Sequence, residues 1–228
     1  MQTRCPFADC LHIFPLAEEK EFKISSCPQC SRSFTARTLA RHLEIDKQAA
    51  KHKEQKTDAE SFFASNESSG KMLVLLEEIR SLWNVGSIFR SADGAGFSQL
   101  FLTGITGCPP RKEIAKTSLG AEDHVAWNYS ANSLPVLDEL KKRGYQIIGL
   151  EKTENSKPLK KAQAENKIRN PLCLVLGSEV KGVYSETLAA CDLLLDLPMR
   201  GFKESLNVAV AFGIAAYAIA EKIESAGT

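Results

Sequence analysis

From residue 72 onward the chain alternates two hydrophobic patterns. Short apolar, β-branched runs at 72–76, 100–102, 145–150, 172–176 and 193–195 have the length and composition of strands. Between them, 85–95, 110–117, 133–143, 185–190 and 204–223 carry apolar residues at helical spacing, several opening on Ser, Asn or Pro. Alternation of this kind predicts an α/β domain: a mostly parallel sheet with helices on both faces. In such sheets ligands bind in the loops beyond the carboxyl ends of the strands.

The first 70 residues follow another pattern. Residues 1–35 are cysteine-marked and turn-rich, 36–70 are charged and helix-favouring, and Glu67-Ser-Ser-Gly70 closes that stretch. The expected division is a small module at 1–35, a charged helical linker at 36–70 and the main domain at 71–228. Cys5 and Cys10, then Cys27 and Cys30, form two pairs with sixteen residues between them, each pair opening Cys-Pro. Four thiolates on two tight turns suit a tetrahedral structural zinc, which lets a segment too short for a core fold. Ordinary cysteines or a redox pair is the alternative. His12, inside the apolar run 11–16, is expected to pack and not to ligate. Arg32, Arg37, Arg41, Lys47, Lys51 and Lys53 could meet phosphates, but the interspersed Glu44, Asp46, Glu54 and Asp58 describe a solvated helix equally well.

Composition narrows the class. With 43% hydrophobic and 25% charged residues and a net charge of +1, the chain has no global basic field, so any nucleic-acid surface is a local patch. The apolar run 206–220 contains Gly213 and stops at Glu221, short of the ~20 residues a membrane span needs. The N-terminal residues lack the apolar core of a signal peptide, and the clustered cysteines suit a reducing compartment, so a cytoplasmic protein without membrane contact is expected. Neither a P-loop nor a Gly-x-Gly-x-x-Gly fingerprint is found, which removes support for ATP hydrolysis and hydride transfer.

Three loops carry candidate chemistry. In 79–93, Asn84 stands where a helix N-cap is expected and Arg90 lies nearly two turns on, among Ile88, Phe89 and Ala92; a cap with a surface arginine explains the pair equally well. In 174–183 an apolar strand runs into Gly177-Ser-Glu-Val-Lys-Gly182, a glycine-bounded loop with one carboxylate, Glu179, which by itself also reads as a plain turn. In 196–210 a strand ends at Pro198, and Ser205 with Asn207 open the last helix. Two polar residues there exceed what one cap requires.

Together these loops closely resemble the three motifs of the SpoU (TrmH-like) branch of the SPOUT superfamily of RNA 2′-O-ribose methyltransferases. The resemblance rests on the Asn84 to Arg90 spacing, on Gly177-Ser-Glu-Val-Lys-Gly182, and on Leu197-Pro-Met199 followed by Ser205-Leu-Asn-Val208, in the family's order. Thr117-Ser-Leu-Gly-Ala-Glu-Asp-His-Val125 is similar to a further family segment. The likeness covers 72 to about 222 and leaves the cysteine module outside. It implies a C-terminal trefoil knot, a homodimer with its active site near the interface, and S-adenosylmethionine held largely by backbone around Leu176, Gly177, Leu197, Met199, Ser205, Leu206 and Asn207. It also implies catalytic roles: Arg90 activating the ribose hydroxyl, Asn84, Ser205 and Asn207 bonding ribose or methionine, and Glu179 holding the loops or the substrate. Because arginine stays protonated, Arg90 is read first as a cation that orients a phosphate and stabilises a developing alkoxide. Leu197 replaces the family's usual isoleucine, and the accessory module differs from its usual extensions. The implied substrate is tRNA or rRNA. Rival readings are a catalytically silent RNA-binding scaffold, a zinc-dependent interaction module on a structural α/β dimer, and a small-molecule methyltransferase.

Overall fold

The computed structural model describes residues 2–4, 13–15, 24–26, 28, 29, 31, 33–35 and 71–226. The chain divides into two compact units, 1–55 and 56–228. In the first, β1 (Gln2–Arg4) pairs antiparallel with β2 (Ile13–Pro15), and β3 (Ile24–Ser26) with β4 (Ser33–Thr35). Cys5 and Cys10 belong to the connection within one pair, and Cys27 and Cys30 to that within the other. All four cysteines, and with them the expected zinc ligation and the charged linker, lie outside the described residues.

The second unit is built on a seven-stranded sheet in which every pairing is parallel. Its strands are β5 (Met72–Glu77), β6 (Phe97–Thr103), β7 (Ala126–Ser130), β8 (Gln146–Leu150), β9 (Lys157–Pro158), β10 (Leu172–Leu176) and β11 (Leu193–Asp196), ordered β7-β6-β5-β10-β8-β11-β9. The helices are α1 (Leu82–Gly94), α2 (Lys112–Ser118), α3 (Ala121–His124), α4 (Ser133–Lys142), α5 (Leu159–Ala164), α6 (Ser185–Ala189) and α7 (Val208–Ala226). None of them is long and apolar enough to cross a membrane.

The continuous apolar strand runs follow from burial on both faces. Along β5 and β10 alternate residues enter two separate cores. Val74, Leu76, Leu172, Leu174 and Leu176 pack with α1, α2 and α7 through Val85, Ile88, Phe89, Ile114, Phe212 and Ala216. Leu73, Leu75, Cys173 and Val175 pack on the opposite face with Val136, Leu137 and Leu140 of α4. Each fully buried Leu or Phe contributes about 1.5–3 kcal/mol relative to exposure, so the central strands hold the frame on which the loops sit.

Two expectations about helix starts change. The N-cap of α1 is Ser81, whose side chain accepts from the Asn84 amide N–H, so Asn84 is the third residue inside the helix and not its cap. The last helix starts at Val208 and not at 204. Asn207 Oδ1 caps it by accepting from the amides of Ala209 at 3.0 Å and Val210 at 3.3 Å. The strand β7 and the short helices α3 and α5 were not expected, because segments of four to six residues hold too little periodicity to read.

Candidate functional site

The central pair β5 and β10 end level, with Leu76 opposite Leu176. From β5 the chain turns to β6 on one side, whereas from β10 it passes to β11 on the other, beyond β8. Diverging loops at such a switch point leave a crevice beyond the strand ends. Two of the three candidate loops leave these strands and the third leaves β11, so the topology brings all three to the same end of the sheet.

The loop after β5 begins with strain. Glu78 takes a left-handed backbone, φ 58°, while nearly buried at 6% exposure. That turn aims the amides of Arg80 and Ser81 at the Glu179 carboxylate, which accepts from Arg80 N–H at 2.9 Å and Ser81 N–H at 3.1 Å. Glu179 also accepts from the side-chain amide of Asn84 at 2.8 Å. Asn84 uses its remaining oxygen to accept from Asn207 Nδ2 at 3.1 Å. The pattern is internally consistent: a carboxylate only accepts, so the Asn84 amino group faces it, and Asn207 spends its own oxygen on the α7 cap. Burial works to raise the Glu179 pKa, but the bonds from Arg80, its own backbone, Asn84 and Ser81 prevail and hold it below the ordinary glutamate value.

The loop after β10 closes on itself. Ser178 N–H donates to Gly182 O at 3.0 Å, Gly182 N–H to Ser178 O at 2.9 Å, and Lys181 N–H to Ser178 Oγ at 3.1 Å. Gly182 has φ 67°, and a Cβ on Gly177 would lie 2.0 Å from the Gly182 carbonyl carbon, so both glycines are sterically required.

A cleft of about 580 Å³ opens against these loops, within the size range of small-molecule sites. Its walls include Leu176, Gly177, Glu179, Leu197, Ser205, Leu206 and Asn207, all singled out from sequence. Asn84 reaches the cleft through its bonds to Glu179 and Asn207. Met199 does not line it. Nor does Arg90, which is exposed on α1 and, among the described residues, makes no ion pair. Ser205 and Asn207 are solvent-facing. Desolvation therefore does not explain them; their place on the cleft wall does.

The sequence reading missed Leu150, Glu151 and Lys152 at the end of β8. Glu151 accepts from Val183 N–H at 3.0 Å and lies against Gly182, bracing the β10 loop from the far side. Charged residues directly after an apolar strand run were the available signal. Among the described residues no cluster of His, Cys, Asp or Glu could hold a metal ion.

Comparison with known proteins agrees with this arrangement. The sequence model of the SpoU rRNA Methylase family matches residues 71–217. YacO of Bacillus subtilis (strain 168), assigned by name to the TrmH family of tRNA/rRNA methyltransferases, is 28% identical over 94% of this chain and 84% of its own length. The 23S rRNA (guanosine-2′-O-)-methyltransferase RlmB of Ralstonia nicotianae is 32% identical over 63% of this chain, which spans 55% of that enzyme. Three Staphylococcus relatives are covered over 60–65% of their length. Among solved structures, the S-adenosylmethionine-bound rRNA methyltransferase of Sinorhizobium meliloti superposes with a TM-score of 0.62 at 25% identity, covering 68% of this chain and 58% of that one. The TrmH/SpoU tRNA modifying enzyme of A. aeolicus gives 0.61 at 26% identity, covering 70% and 80%. With its three loops converged on one cleft at the sheet's switch point, the chain belongs to the SpoU rRNA methylase family.

Proposed function

We propose that this chain transfers the methyl group of S-adenosylmethionine to a ribose 2′-hydroxyl of tRNA or rRNA. The observation that carries the reading is the hydrogen-bonded chain Glu179, Asn84, Asn207, which ties all three loops at the mouth of the cleft. The cleft suits the cofactor: Leu150, Leu176, Leu197 and Leu206 offer apolar walls to a base, Gly177 admits close backbone approach, and Lys152, Glu204, Ser205 and Asn207 offer polar contacts to a charged amino-acid end. When bound, the cofactor supplies an electrophilic methyl group on a sulfonium. Glu179 and Asn84 hold the loops in register, and Ser205 and Asn207 orient the ribose or the methionine end. Arg90, a permanent cation, would orient the adjacent phosphate and stabilise the negative charge developing on the 2′-oxygen, whose proton passes to water as that oxygen takes the methyl group.

Arg90 stands outside the cleft of its own chain, which favours a homodimeric site. Val210, Ile214 and Tyr217 lie at helical spacing on α7 and are each about half exposed. Ser91 and Gly94 of α1 approach Gly213 and Tyr217, so Arg90 borders this apolar stripe. A second copy laid on the stripe would cover it and place Arg90 near an interface. A C-terminal trefoil knot is supported by β11 inserted between β8 and β9 and by α7 returning to α1. A structural zinc on Cys5, Cys10, Cys27 and Cys30 is supported by the two strand pairs that bracket those cysteines. The thiols of Cys108, Cys173 and Cys191 fit a reducing, cytoplasmic setting.

The test is transfer from labelled S-adenosylmethionine to RNA from a strain lacking the gene, followed by nucleoside analysis, with Arg90→Ala in parallel. A 2′-O-methylated nucleoside that disappears with the variant, while cofactor binding persists, supports the reading. Cofactor binding without transfer by the wild type replaces it with a silent RNA-binding scaffold.

A further inference from the structure

The residue before Asn84 is Trp83, which does not line the cleft. Its side chain is 49% exposed and belongs to neither core, unlike Trp127 at 9%. Its backbone is held firmly: Trp83 O accepts from Ser87 Oγ at 2.9 Å and from Thr117 Oγ1 of α2 at 3.0 Å, and the next residue is tied to Glu179. The indole is also oriented, because Lys116 Nζ stands 5.5 Å from the ring centroid. Arg80, three residues earlier in the chain, and Lys112 and Lys116 of α2 are exposed, and Arg111 pairs with Glu113. About half of this large aromatic surface stays in water. A fixed backbone, a cation at the ring and exposed basic residues match what single-stranded RNA offers, a base to stack and a phosphate to neutralise.

We propose that Trp83 is the stacking platform for a substrate nucleobase next to the methylated ribose, with Lys116 and Arg80 on the flanking phosphates. The inference deepens the RNA methyltransferase reading and rests on it for the location of the ribose. One link of chain separates Trp83 from Asn84, so a base on the indole sits beside the lip of the cleft. Segment 117–125, singled out from sequence and otherwise unused, thereby acquires a role: Thr117 fixes the main chain under the platform.

The experiment uses the full chain with Trp127→Phe as background, so that fluorescence reports Trp83 alone; the protein has two tryptophans. Unfractionated tRNA and, separately, rRNA are titrated in. The expected result is saturable quenching. In methyl transfer, Trp83→Ala should raise the KM for RNA about tenfold, as loss of one base–aromatic stack does, with kcat and cofactor affinity nearly unchanged. Trp83→Tyr should restore most of the affinity and Trp83→Leu should not. An unchanged KM in Trp83→Ala with active wild type overturns the platform alone. So does a shift in sedimentation mass on Trp83→Ala, which would make the indole a subunit contact. If the wild type transfers no methyl group, the functional reading fails, and the quenching titration still decides whether RNA stacks on Trp83.

Discussion

Asn207 donates its side-chain amide to Asn84 across 3.1 Å, joining positions 123 residues apart, and Asn84 passes the interaction on to Glu179 at 2.8 Å. One side chain thus couples the start of α1, the β10 loop and the cap of α7. Each link is a short polar contact that only the folded sheet creates.

Glu179 is the acceptor at the end of that chain, and its carboxyl is held below the ordinary value of 4.5. A group with a depressed folded pKa adds stability above its unfolded value and loses it as pH falls through the folded one. Wild type should therefore exceed Glu179→Gln in Tm at neutral pH, and the gap should narrow as the pH falls below 4.5. Thermal unfolding of both proteins across pH measures it; a gap that closes near neutrality contradicts the assignment.

Gly177→Ala would place a methyl 2.0 Å from the Gly182 carbonyl carbon and 2.1 Å from Val183 N. The β10 loop must open to admit it, so cofactor affinity should fall by tenfold or more, on the order of the 1–3 kcal/mol that overpacking costs. Equilibrium dialysis with labelled S-adenosylmethionine reads the change.

At Gly86 the clash is between helices. A Cβ there would meet Ile114 O at 2.3 Å, where α1 crosses α2. Gly86→Ala should destabilise the domain by about 1–3 kcal/mol, seen as a lower urea midpoint at unchanged slope.

Ile214→Glu should leave the monomer folded, since Ile214 is half exposed, but should abolish self-association if α7 forms the subunit contact. Sedimentation decides it. A monomeric variant with full methyl transfer would show that Arg90 acts without a second copy.

Cysteine chemistry separates the two units. Burial pushes Cys191 up to about 12, with Asp192 adding to the effect, and burial raises Cys173 further. Cys108 is buried. A thiol reagent at about pH 7.5 should leave these three untouched in the folded protein. If zinc fills the N-terminal site, a chelator should expose four of the seven thiols and no more.

Much of the main domain was legible in the chain because strand burial is local information. The runs 72–76 and 172–176 are apolar at every position, which only a doubly covered sheet accommodates, and both became strands. Glu179, Ser205 and Asn207, which line the cleft, were legible as candidates because glycine-bounded and Pro-interrupted loops mark strand ends. Glu151 was marked only as a charge directly after an apolar run; what it braces, Val183 N–H, lies 32 residues away and is not written in that local pattern. For the same reason Asn84 reads as a cap from its flanking residues, while the actual cap, Ser81, is chosen by Glu179 drawing in the amides of Arg80 and Ser81.

Residue order alone determined the fold class, the strand runs at the centre of the sheet and the three loops that carry polar chemistry, because hydrophobic period and turn composition act over a few residues. Only the tertiary structure decided that those loops share one cleft, that Asn84 bridges Glu179 and Asn207, and that Arg90 and Trp83 stand outside it. Those outcomes depend on strand order, on which side of β5 and β10 each connection leaves, and on hydrogen bonds between groups 95–123 positions apart, none of which local pattern encodes.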